Sequence, residues 1–310
     1  MRLWNHYHTP ETVDEAVALL ARYNGQGRVV AGGTDLLVEM RAKGADGTAQ
    51  TMQPHEALID VTRIPELCAI WEEGARIVIG AGATHTQIVE SALLAKHATC
   101  LVEGCGVIGG PQVRNVGTLG GNVAHALPAG DGTTALVALD AEAEIVQGGA
   151  RRRVPILDMF VGTGKSLIDP ARDLVVAFRV SRAGSQEASA FKRVMRPQGV
   201  ALPVLGCAVW LRLDADGKRF EAVRVSVAPA GPTPGRVGAV ESALEGQPVG
   251  QAAIDAAIRR AQDTLRLRTS KYRATAAYRH EIVAVLLRHA LGLAVRRAQT
   301  GQAIPDNAEL

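Results

Sequence analysis

The sequence is poor in cysteine, and its few cysteines are badly spaced for a covalent or metal framework. Four occur in 310 residues, at positions 68, 100, 105 and 207, and no pair forms Cys-x2-Cys. That number is too small for a disulfide framework in a chain of this length. Cys100 and Cys105 have the Cys-x4-Cys gap of a plant-type iron–sulfur cluster, but the Cys-x2-Cys that should follow is missing. We therefore expect this chain to hold no metal or cluster of its own.

Long apolar runs are also missing. No stretch approaches the roughly 18 residues of a membrane-spanning helix, and residues 1–8 contain no apolar signal core. The 34 basic and 31 acidic residues are dispersed and leave a net charge of only +3, unlike the basic patch of a nucleic-acid-binding protein. These absences predict a cytoplasmic protein with no membrane span and no nucleic-acid partner.

The composition that remains is that of an ordinary globular protein, with 47% hydrophobic and 21% charged residues, which excludes a disordered chain. A length of 310 residues suggests two domains. In the N-terminal part, the patterns predict helices at 9–25, 36–43 and 84–97, and strands at 28–31, 57–61, 76–81, 142–146 and 174–180. Two caps compete for the first helix, Thr9 before Pro10 and Thr12 with Glu15, and Thr84 with Gln87 caps the third.

The C-terminal part changes to strands followed by helices. We predict strands at 190–194, 204–213 and 222–227, a hairpin turn at 214–217, and helices at 233–246, 251–265 and 275–299. Valines at 223, 225 and 227 alternate with polar or small residues, which indicates a sheet covered on one face. This order is typical of a separate α+β domain, so we place the boundary near residue 180. Residues 301–310 are predicted to form a loose tail.

Three short motifs are not functional sites in our interpretation. Residues 104–109 match Gly-x-Gly-x-x-Gly, but a Rossmann site needs a strand before the motif and a helix after it. Here a helical stretch precedes the motif and Pro111 follows it. Residues 162–166 resemble the end of a phosphate loop whose first glycine is replaced by Met159. The arginines at 151–153 are interpreted as a solvated turn rather than a phosphate site.

Glycine is concentrated in two places. Residues 98–133 contain nine glycines, a density expected where φ is positive or where a ligand approaches the main chain. Segments 32–34 (Gly-Gly-Thr) and 118–122 (Thr-Leu-Gly-Gly-Asn) carry adjacent glycines, which can turn consecutive N–H groups toward one anion. Two such nests predict a diphosphate site without a lysine, with Asp131 accepting from a ligand hydroxyl. Two glycine turns with no ligand explain the same composition equally well.

Six motifs follow one another along the chain in a recognisable order. They are Ala-Gly-Gly-Thr-Asp at 31–35, Arg-Asn-Val-Gly-Thr-Leu-Gly-Gly-Asn at 114–122, Pro-Ala-Gly-Asp at 128–131, Phe-Lys-Arg at 191–193, Ser-Lys-Tyr-Arg at 270–273 and Ala-Tyr-Arg at 277–279. Together they resemble the flavin-binding subunits of the molybdenum hydroxylases. That family includes the medium subunit of aerobic carbon monoxide dehydrogenase and the flavin domain of xanthine dehydrogenase. The resemblance covers nearly the whole chain.

The resemblance implies an α+β fold and FAD as cofactor. A vanillyl-alcohol-oxidase-type (PCMH-type) FAD-binding domain would span 1–180, with sub-domains of about 1–60 and 61–180. A C-terminal α+β domain with a three-stranded antiparallel sheet and helices would span 181–300. By matching position, FAD would be held by Val29, Val30, Ala31, Gly32, Gly33, Thr34, Asp35, Leu36, Ile108, Thr118, Leu119, Gly120, Gly121, Asn122, Asp131, Leu174 and Lys192. No catalytic residue and no metal ligand is implied.

The implied function is to carry electrons through FAD to an external acceptor. A large molybdopterin-binding subunit would oxidise the substrate, and a small subunit with two two-iron clusters would deliver the electrons, in a heterotrimer or a dimer of heterotrimers. Two alternatives stay open: a stand-alone FAD oxidoreductase of the same fold, and a non-enzymatic nucleotide-binding or assembly module. A stand-alone enzyme needs its own substrate pocket, usually with a tyrosine, arginine or histidine over the flavin. Only four tyrosines occur, two of them in the C-terminal motifs, which argues against it.

The sequence departs from the family pattern in two places. The loop at 196–201 lacks the aspartate that normally precedes its alanine, so we assign it no FAD contact. His125 stands where relatives often have a small or hydroxylic residue, and we interpret it as a loop histidine without chemistry. The substrate and the electron acceptor are not specified by the sequence.

Overall fold

The N-terminal region is a small parallel sheet with one helix packed on it. The computed structural model describes residues 3–41, 55–195, 202–271 and 273–308. The first elements are β1 (Trp4–His8), α1 (Val13–Tyr23), β2 (Gly27–Val30), α2 (Leu36–Glu39) and β3 (His55–Asp60). β3 lies between β1 and β2 and runs parallel to both. Thr12, not Thr9, caps α1 by accepting from the Glu15 N–H. The predicted helix 36–43 ends at Glu39, and its last two residues lie outside the described residues.

The middle region is a five-stranded antiparallel sheet covered by short helices. Its elements are α3 (Pro65–Cys68), β4 (Ile70–Glu73), β5 (Arg76–Gly80), α4 (His85–Glu90), α5 (Ala92–His97), α6 (Thr99–Gly106), α7 (Pro111–Arg114), α8 (Leu119–Ala124), α9 (Asp131–Ala138), β6 (Glu142–Gln147), β7 (Ala150–Pro155), β8 (Phe160–Gly162), β9 (Lys165–Ser166) and β10 (Leu174–Ser181). The sheet order is β4-β5-β10-β6-β7, and β8 and β9 form a separate hairpin. The glycine-rich stretch 98–133 is therefore mostly helical.

Two predictions in this region are corrected. The helix expected at 84–97 is two helices, because Ser91 takes an extended conformation and its hydroxyl caps α5 by accepting from Leu94 N–H. Residues 151–153 are not a turn but part of β7, paired with β6. Arg151 Nη2 donates to Glu66 Oε2 at 2.9 Å. The positive charge of Arg151 is therefore balanced by a carboxylate on α3. The rejection of a Rossmann motif at 104–109 is confirmed, since helix α6 precedes it.

The C-terminal region is a three-stranded antiparallel sheet with three helices. Its elements are β11 (Glu187–Met195), β12 (Pro203–Leu213), β13 (Phe220–Ala228), α10 (Gly238–Leu244), α11 (Gln251–Thr264) and α12 (Ala276–Thr300). The helix predicted from residue 233 begins only at Gly238, because the preceding segment runs along β13, where Val237 N–H donates to Val225 O at 2.8 Å. The rest of the predicted order is confirmed.

This sheet is covered on both faces, not on one as the alternation predicted. Ala190, Val209 and Leu211 pack into a core with α10 to α12. Phe191 and Trp210 lie on the other face and pack into the core of the middle region, against α6 and α9. Because strand side chains alternate, a single strand contributes to two cores. The alternating valines at 223, 225 and 227 belong to only one of these two cores, the one with α10 to α12.

The residues after α12 are docked, in contrast to the loose tail expected. Arg193 N–H donates to Ala308 O at 2.8 Å, and Ala308 is buried. Asp306 N–H donates at 2.9 Å to Glu103, a fully buried carboxylate on α6 that is paired with Arg297 of α12. The tail therefore covers the open edge of β11.

Candidate functional site

One cavity of about 500 Å³ opens where β2, α8, α9, β10 and the C-terminal sheet come together. This is within the usual size range of ligand pockets. The predicted residues that line it are Val29, Val30, Ala31, Gly32, Gly33, Thr34, Asp35, Leu36, Ile108, Thr118, Gly120, Gly121, Asn122, Asp131 and Leu174. The structure thus brings together residues that lie far apart in the chain, and only Leu119 and Lys192 of the predicted set are elsewhere.

The backbone of Gly32 meets the backbone of residues 116 and 117, directly before the second glycine segment, beside this cavity. A Cβ placed on Gly32 would lie 2.0 Å from Val116 O and 2.9 Å from Gly117 Cα. No side chain larger than hydrogen fits at that contact. Gly33 has a φ of +67°, a conformation open to glycine at little cost. The first pair of glycines is therefore required by the turn after β2 and by the contact of this turn with residues 116 and 117.

The segment after β2 leaves its backbone donors open. Within the described ranges, the N–H groups of Gly32, Gly33 and Thr34 donate no hydrogen bond to any protein atom. Buried or half-buried N–H groups are normally paired. Three consecutive donors at a cavity wall can bind an anion such as a phosphate.

The second segment does not form a nest of open donors, which corrects the prediction. Leu119 and Gly120 donate their N–H groups to Ala83 O and Ala81 O at 3.0 and 2.7 Å. Gly121 N–H donates to Thr118 Oγ1 at 3.1 Å, so Thr118 caps α8. Leu119 itself is fully buried in the core. The donors are used up because the segment is the first turn of a helix docked on the end of β5.

Asn122 contributes to the cavity with only part of its side chain. Its Oδ1 accepts from Thr133 N–H at 3.0 Å and from Thr133 Oγ1 at 2.9 Å, which ties α8 to the start of α9. Its amide NH2 group donates to no protein atom within the described residues. The amide is thus oriented by the protein and keeps two donors for a ligand.

Asp131 and Lys192 differ from their predicted roles. Asp131 lines the cavity, but its Oδ2 accepts from Arg193 Nη1 at 2.8 Å, and both side chains are buried. Lys192 points to the opposite side of β11, as strand alternation requires, and its ammonium binds Asp306 at 3.2 Å and the Asn307 carbonyl. The motif Phe-Lys-Arg thus delivers its arginine, not its lysine, to the cavity wall. Loop 196–201 lies outside the described residues.

Two histidines at the cavity were not predicted as site residues. His125 ends α8, with Nε2 3.9 Å from Asp35 Oδ1 and Nδ1 3.7 Å from Glu39 Oε1. His85 is 3% exposed, and burial, with the charge of Arg114, lowers its pKa to about 4. No local sequence pattern marks His85, because it stands inside an ordinary helix-capping motif.

The cavity is also lined by arginines that were not among the predicted FAD-binding residues. Arg28, Arg193 and Arg273 line the cavity together with Asp35, Glu39, Asp131 and Asp173. Burial lowers the pKa of Arg28 and Arg273, yet a guanidinium stays charged at neutral pH. The cavity also has apolar lining residues, namely Ile108, Val113, Leu127, Ile168, Leu174, Val175, Leu202 and Pro203.

The cysteines and the described helices show no metal or membrane feature. Burial raises the pKa of Cys100 and Cys207 to about 12, so these thiols stay protonated at neutral pH. Within residues 3–41, 55–195, 202–271 and 273–308, no three His, Cys, Asp or Glu side chains group as metal ligands. No helix in these ranges combines the length and the apolar character needed to cross a membrane.

Comparison with known proteins decides the family. The model of the FAD binding domain in molybdopterin dehydrogenase matches residues 3–182, and that of the CO dehydrogenase flavoprotein C-terminal domain matches residues 189–294. The chain belongs to this flavoprotein family. It is an FAD-binding subunit of the molybdenum hydroxylase type, and its cofactor is FAD.

Relatives of known identity agree along most of the chain. The carbon monoxide dehydrogenase medium chain of Hydrogenophaga pseudoflava is 34% identical over 81% of this chain and 83% of its own length. The nicotinate dehydrogenase FAD-subunit of Eubacterium barkeri is 30% identical over 68% of this chain and 70% of its own length. A solved structure of carbon monoxide dehydrogenase from H. pseudoflava superposes with a TM-score of 0.84 at 30% identity, covering 96% of this chain and 99% of that chain. The expected fold is confirmed.

The residues at the cavity fit FAD. The open N–H groups after β2 and the Asn122 amide are able to donate to the oxygens of a dinucleotide. Apolar lining residues such as Ile108 and Leu174 are suited to contact with a flat ring system. The cavity therefore offers both the polar donors and the apolar surface that FAD requires.

Proposed function

We propose that this chain is the flavin subunit of a cytoplasmic heterotrimer, or of a dimer of heterotrimers. Its partners in this proposal are a large molybdopterin-binding subunit, which oxidises the substrate, and a small subunit with two two-iron clusters. The relatives named as medium chain or FAD-subunit support this composition. The observation that carries the role of the chain itself is the row of open donors at Gly32, Gly33 and Thr34 in a cavity of about 500 Å³.

The task of this chain's residues is to bind and orient the cofactor. Gly32 to Thr34 donate their N–H groups to diphosphate oxygens, and the Asn122 amide donates beside them. Ile108 and Leu174 contact the ring system. Asp131 lines the same cavity, where its carboxylate is paired with Arg193, and accepts from a cofactor hydroxyl in this proposal. These assignments are supported by the position of each residue on the cavity wall.

The remaining predicted residues act from a distance in this proposal. Leu119 supports α8 from the core, and Lys192 fastens the C-terminal tail to β11. Residues 1–180, with sub-domains of about 1–60 and 61–180, form the FAD-binding domain, and residues 181–300 close over it. Bound FAD supplies the capacity to accept electrons singly and to release them in pairs. No residue of the chain is assigned a general-base role.

Co-expression with the reading frames beside its gene tests the partners. We expect three different chains to copurify, with an interface of well over about 1,000 Å² in total, as stable complexes have. A panel of carbon monoxide, nicotinate and xanthine is then offered anaerobically to the complex and to the isolated chain. These compounds are chosen because relatives of this chain are named as subunits of dehydrogenases for them.

Flavin absorbance in the complex should fall with a member of this panel, while the isolated chain stays yellow throughout. The small subunit, reduced with dithionite and freed from excess reagent, should reduce the isolated chain. Rapid reduction of the isolated chain by an organic substrate would instead show a stand-alone oxidoreductase. A chain that purifies without flavin in excess FAD would support the nucleotide-binding or assembly module.

A further inference from the structure

His85 lies on the cavity wall but is not among the residues that the family resemblance assigns to FAD. It is the first residue of α4, directly after the Thr84 cap, and its backbone N–H donates to Gly117 O at 3.0 Å. Its side chain lines the cavity and is almost completely buried. The ring lies beside Gly117, one of the two residues whose backbone contacts Gly32.

The ring of His85 has no hydrogen-bond partner in the protein. Its Nδ1 is enclosed and bonds to no atom of the described residues, and Nε2 bonds to none of them either. The Cδ2–Nε2 edge lies against Gly117, since a Cβ placed there would be 3.3 Å from Cδ2 and 3.6 Å from Nε2. Buried side-chain polar atoms are paired in most proteins, so an unpaired imidazole on a cavity wall needs a reason.

The protonation state of the ring follows from its surroundings. Burial, and then the positive charge of Arg114, lower the pKa of His85 to about 4, so the ring is neutral at pH 7 and carries one N–H. An enclosed N–H without an acceptor is rarer in proteins than an acceptor without a donor. The proton therefore belongs on Nε2, because Nδ1 is the enclosed nitrogen.

We propose that His85 is a cofactor-binding residue whose neutral Nε2–H donates a hydrogen bond to an acceptor atom of FAD on the side of Gly117. The inference rests on the assignment of FAD to this cavity. A ligand at this position gives the ring N–H the acceptor that the described residues do not provide, while Nδ1 stays an acceptor without a donor. Because the ring is neutral, the contact is a hydrogen bond and not an ion pair.

Two variants of His85 and one matched control test the proposal. His85→Leu should weaken FAD binding to the apoprotein by about threefold to tenfold, the range expected for one neutral hydrogen bond. His85→Gln, which keeps a donor, should lose less. The apoprotein of His85→Leu should melt at the same or a higher temperature, because an unpaired buried polar group is removed. His97 is a buried histidine outside the cavity whose Nδ1 bonds Ala183 O at 3.2 Å. His97→Leu should lower the melting temperature and leave FAD affinity unchanged.

Two outcomes overturn the proposal: wild-type affinity in His85→Leu, or a loss of FAD affinity that is matched by a fall in apoprotein stability. Nitrogen-15 NMR of the wild-type histidines tests it without a variant. The Nε2–H tautomer should be present in the apoprotein, and its resonance should move on addition of FAD; a proton on Nδ1, or no shift, refutes the contact. A wild-type chain that does not bind FAD would refute the cofactor assignment itself, which is a different result.

Discussion

The two glycine segments at the cavity have similar sequences and different functions. The segment at 32–34 follows a strand, and its N–H groups have no acceptor in the described residues. The segment at 118–122 begins a helix, and its N–H groups donate to Thr118 Oγ1 and to the carbonyls of Ala81 and Ala83 after β5. A glycine pair alone therefore does not identify an anion nest. The secondary structure that follows it decides whether the donors remain available.

The individual glycines in these segments are required for different structural reasons. Gly32 and Gly120 are required for close approach, since a Cβ would lie 2.0 Å from Val116 O and 2.6 Å from Ala81 O. Gly33 is required by its positive φ. Gly121 is different: its Cβ position meets only Thr118 Oγ1, at 3.2 Å, and it lines the cavity. Each of these statements can be tested by a substitution.

The largest effect should come from a substitution that forces the turn after β2 away from residues 116 and 117. Gly32→Ala places a methyl group against the backbone of Val116, and backbone cannot rotate away. We expect a loss of stability at or above the upper end of about 1–3 kcal/mol, and the loss of bound FAD. Urea denaturation and the ratio of absorbance at 450 and 280 nm measure both. Gly235→Ala is the control, because nothing lies within 4 Å of its Cβ position. Unchanged stability in Gly32→Ala would show that Gly32 does not contact residues 116 and 117.

Acid should lower the free energy of unfolding through His85, whose ring lies beside Gly117. The pKa of His85 falls from 6.5 to about 4 on folding, so the unfolded chain binds the extra proton first. Stability from this group is complete above pH 6.5 and decreases as the pH falls toward 4. At pH 4.5 the loss is roughly 2–3 kcal/mol. Urea titrations at pH 7 and 4.5 should show a smaller acid loss in His85→Leu; equal losses in both proteins would contradict the buried neutral ring.

Neighbouring glycines of α8 should respond differently to the same change. Gly120→Ala should cost about 1–3 kcal/mol because it crowds Ala81. Gly121→Ala should stabilise the apoprotein by up to about 1 kcal/mol through helix propensity, while FAD affinity falls. The larger Gly121→Val should abolish FAD binding and leave the protein folded. Thermal melts with and without FAD distinguish the pair, and identical behaviour would remove the distinction between packing and cavity glycines.

The smallest effect should come from the cap that uses the Gly121 donor. Thr118→Val removes the Oγ1 acceptor and should cost about 1 kcal/mol, as N-cap losses do. Thr12→Val removes the corresponding cap of α1, away from the cavity, and should cost a similar amount. Only the Thr118 variant should also change FAD affinity, measured by quenching of flavin fluorescence. A change of equal size in Thr12→Val would mean that affinity follows global stability.

Local patterns predicted most elements because their causes are local. The capping box of Thr84 and Gln87, the Thr12 cap and the long apolar face of α12 each depend on residues within one or two turns. The same locality explains the errors. Ser91 can continue a helix or cap a new one, and 151–153 can form a turn or a strand until β6 is beside it.

The sequence by itself determined the order of the elements, the glycine motifs and, through the resemblance, the family and its cofactor. Only the tertiary structure decided which donors stay open, because that depends on whether a carbonyl distant in the chain, such as Ala81 O after β5, already accepts them. It also decided that Arg193 rather than Lys192 reaches the cavity, since the direction of β11 fixes which side chains of an alternating pair face α9. His85 became visible only there, because burial without a partner is a property of the folded chain and not of any local pattern.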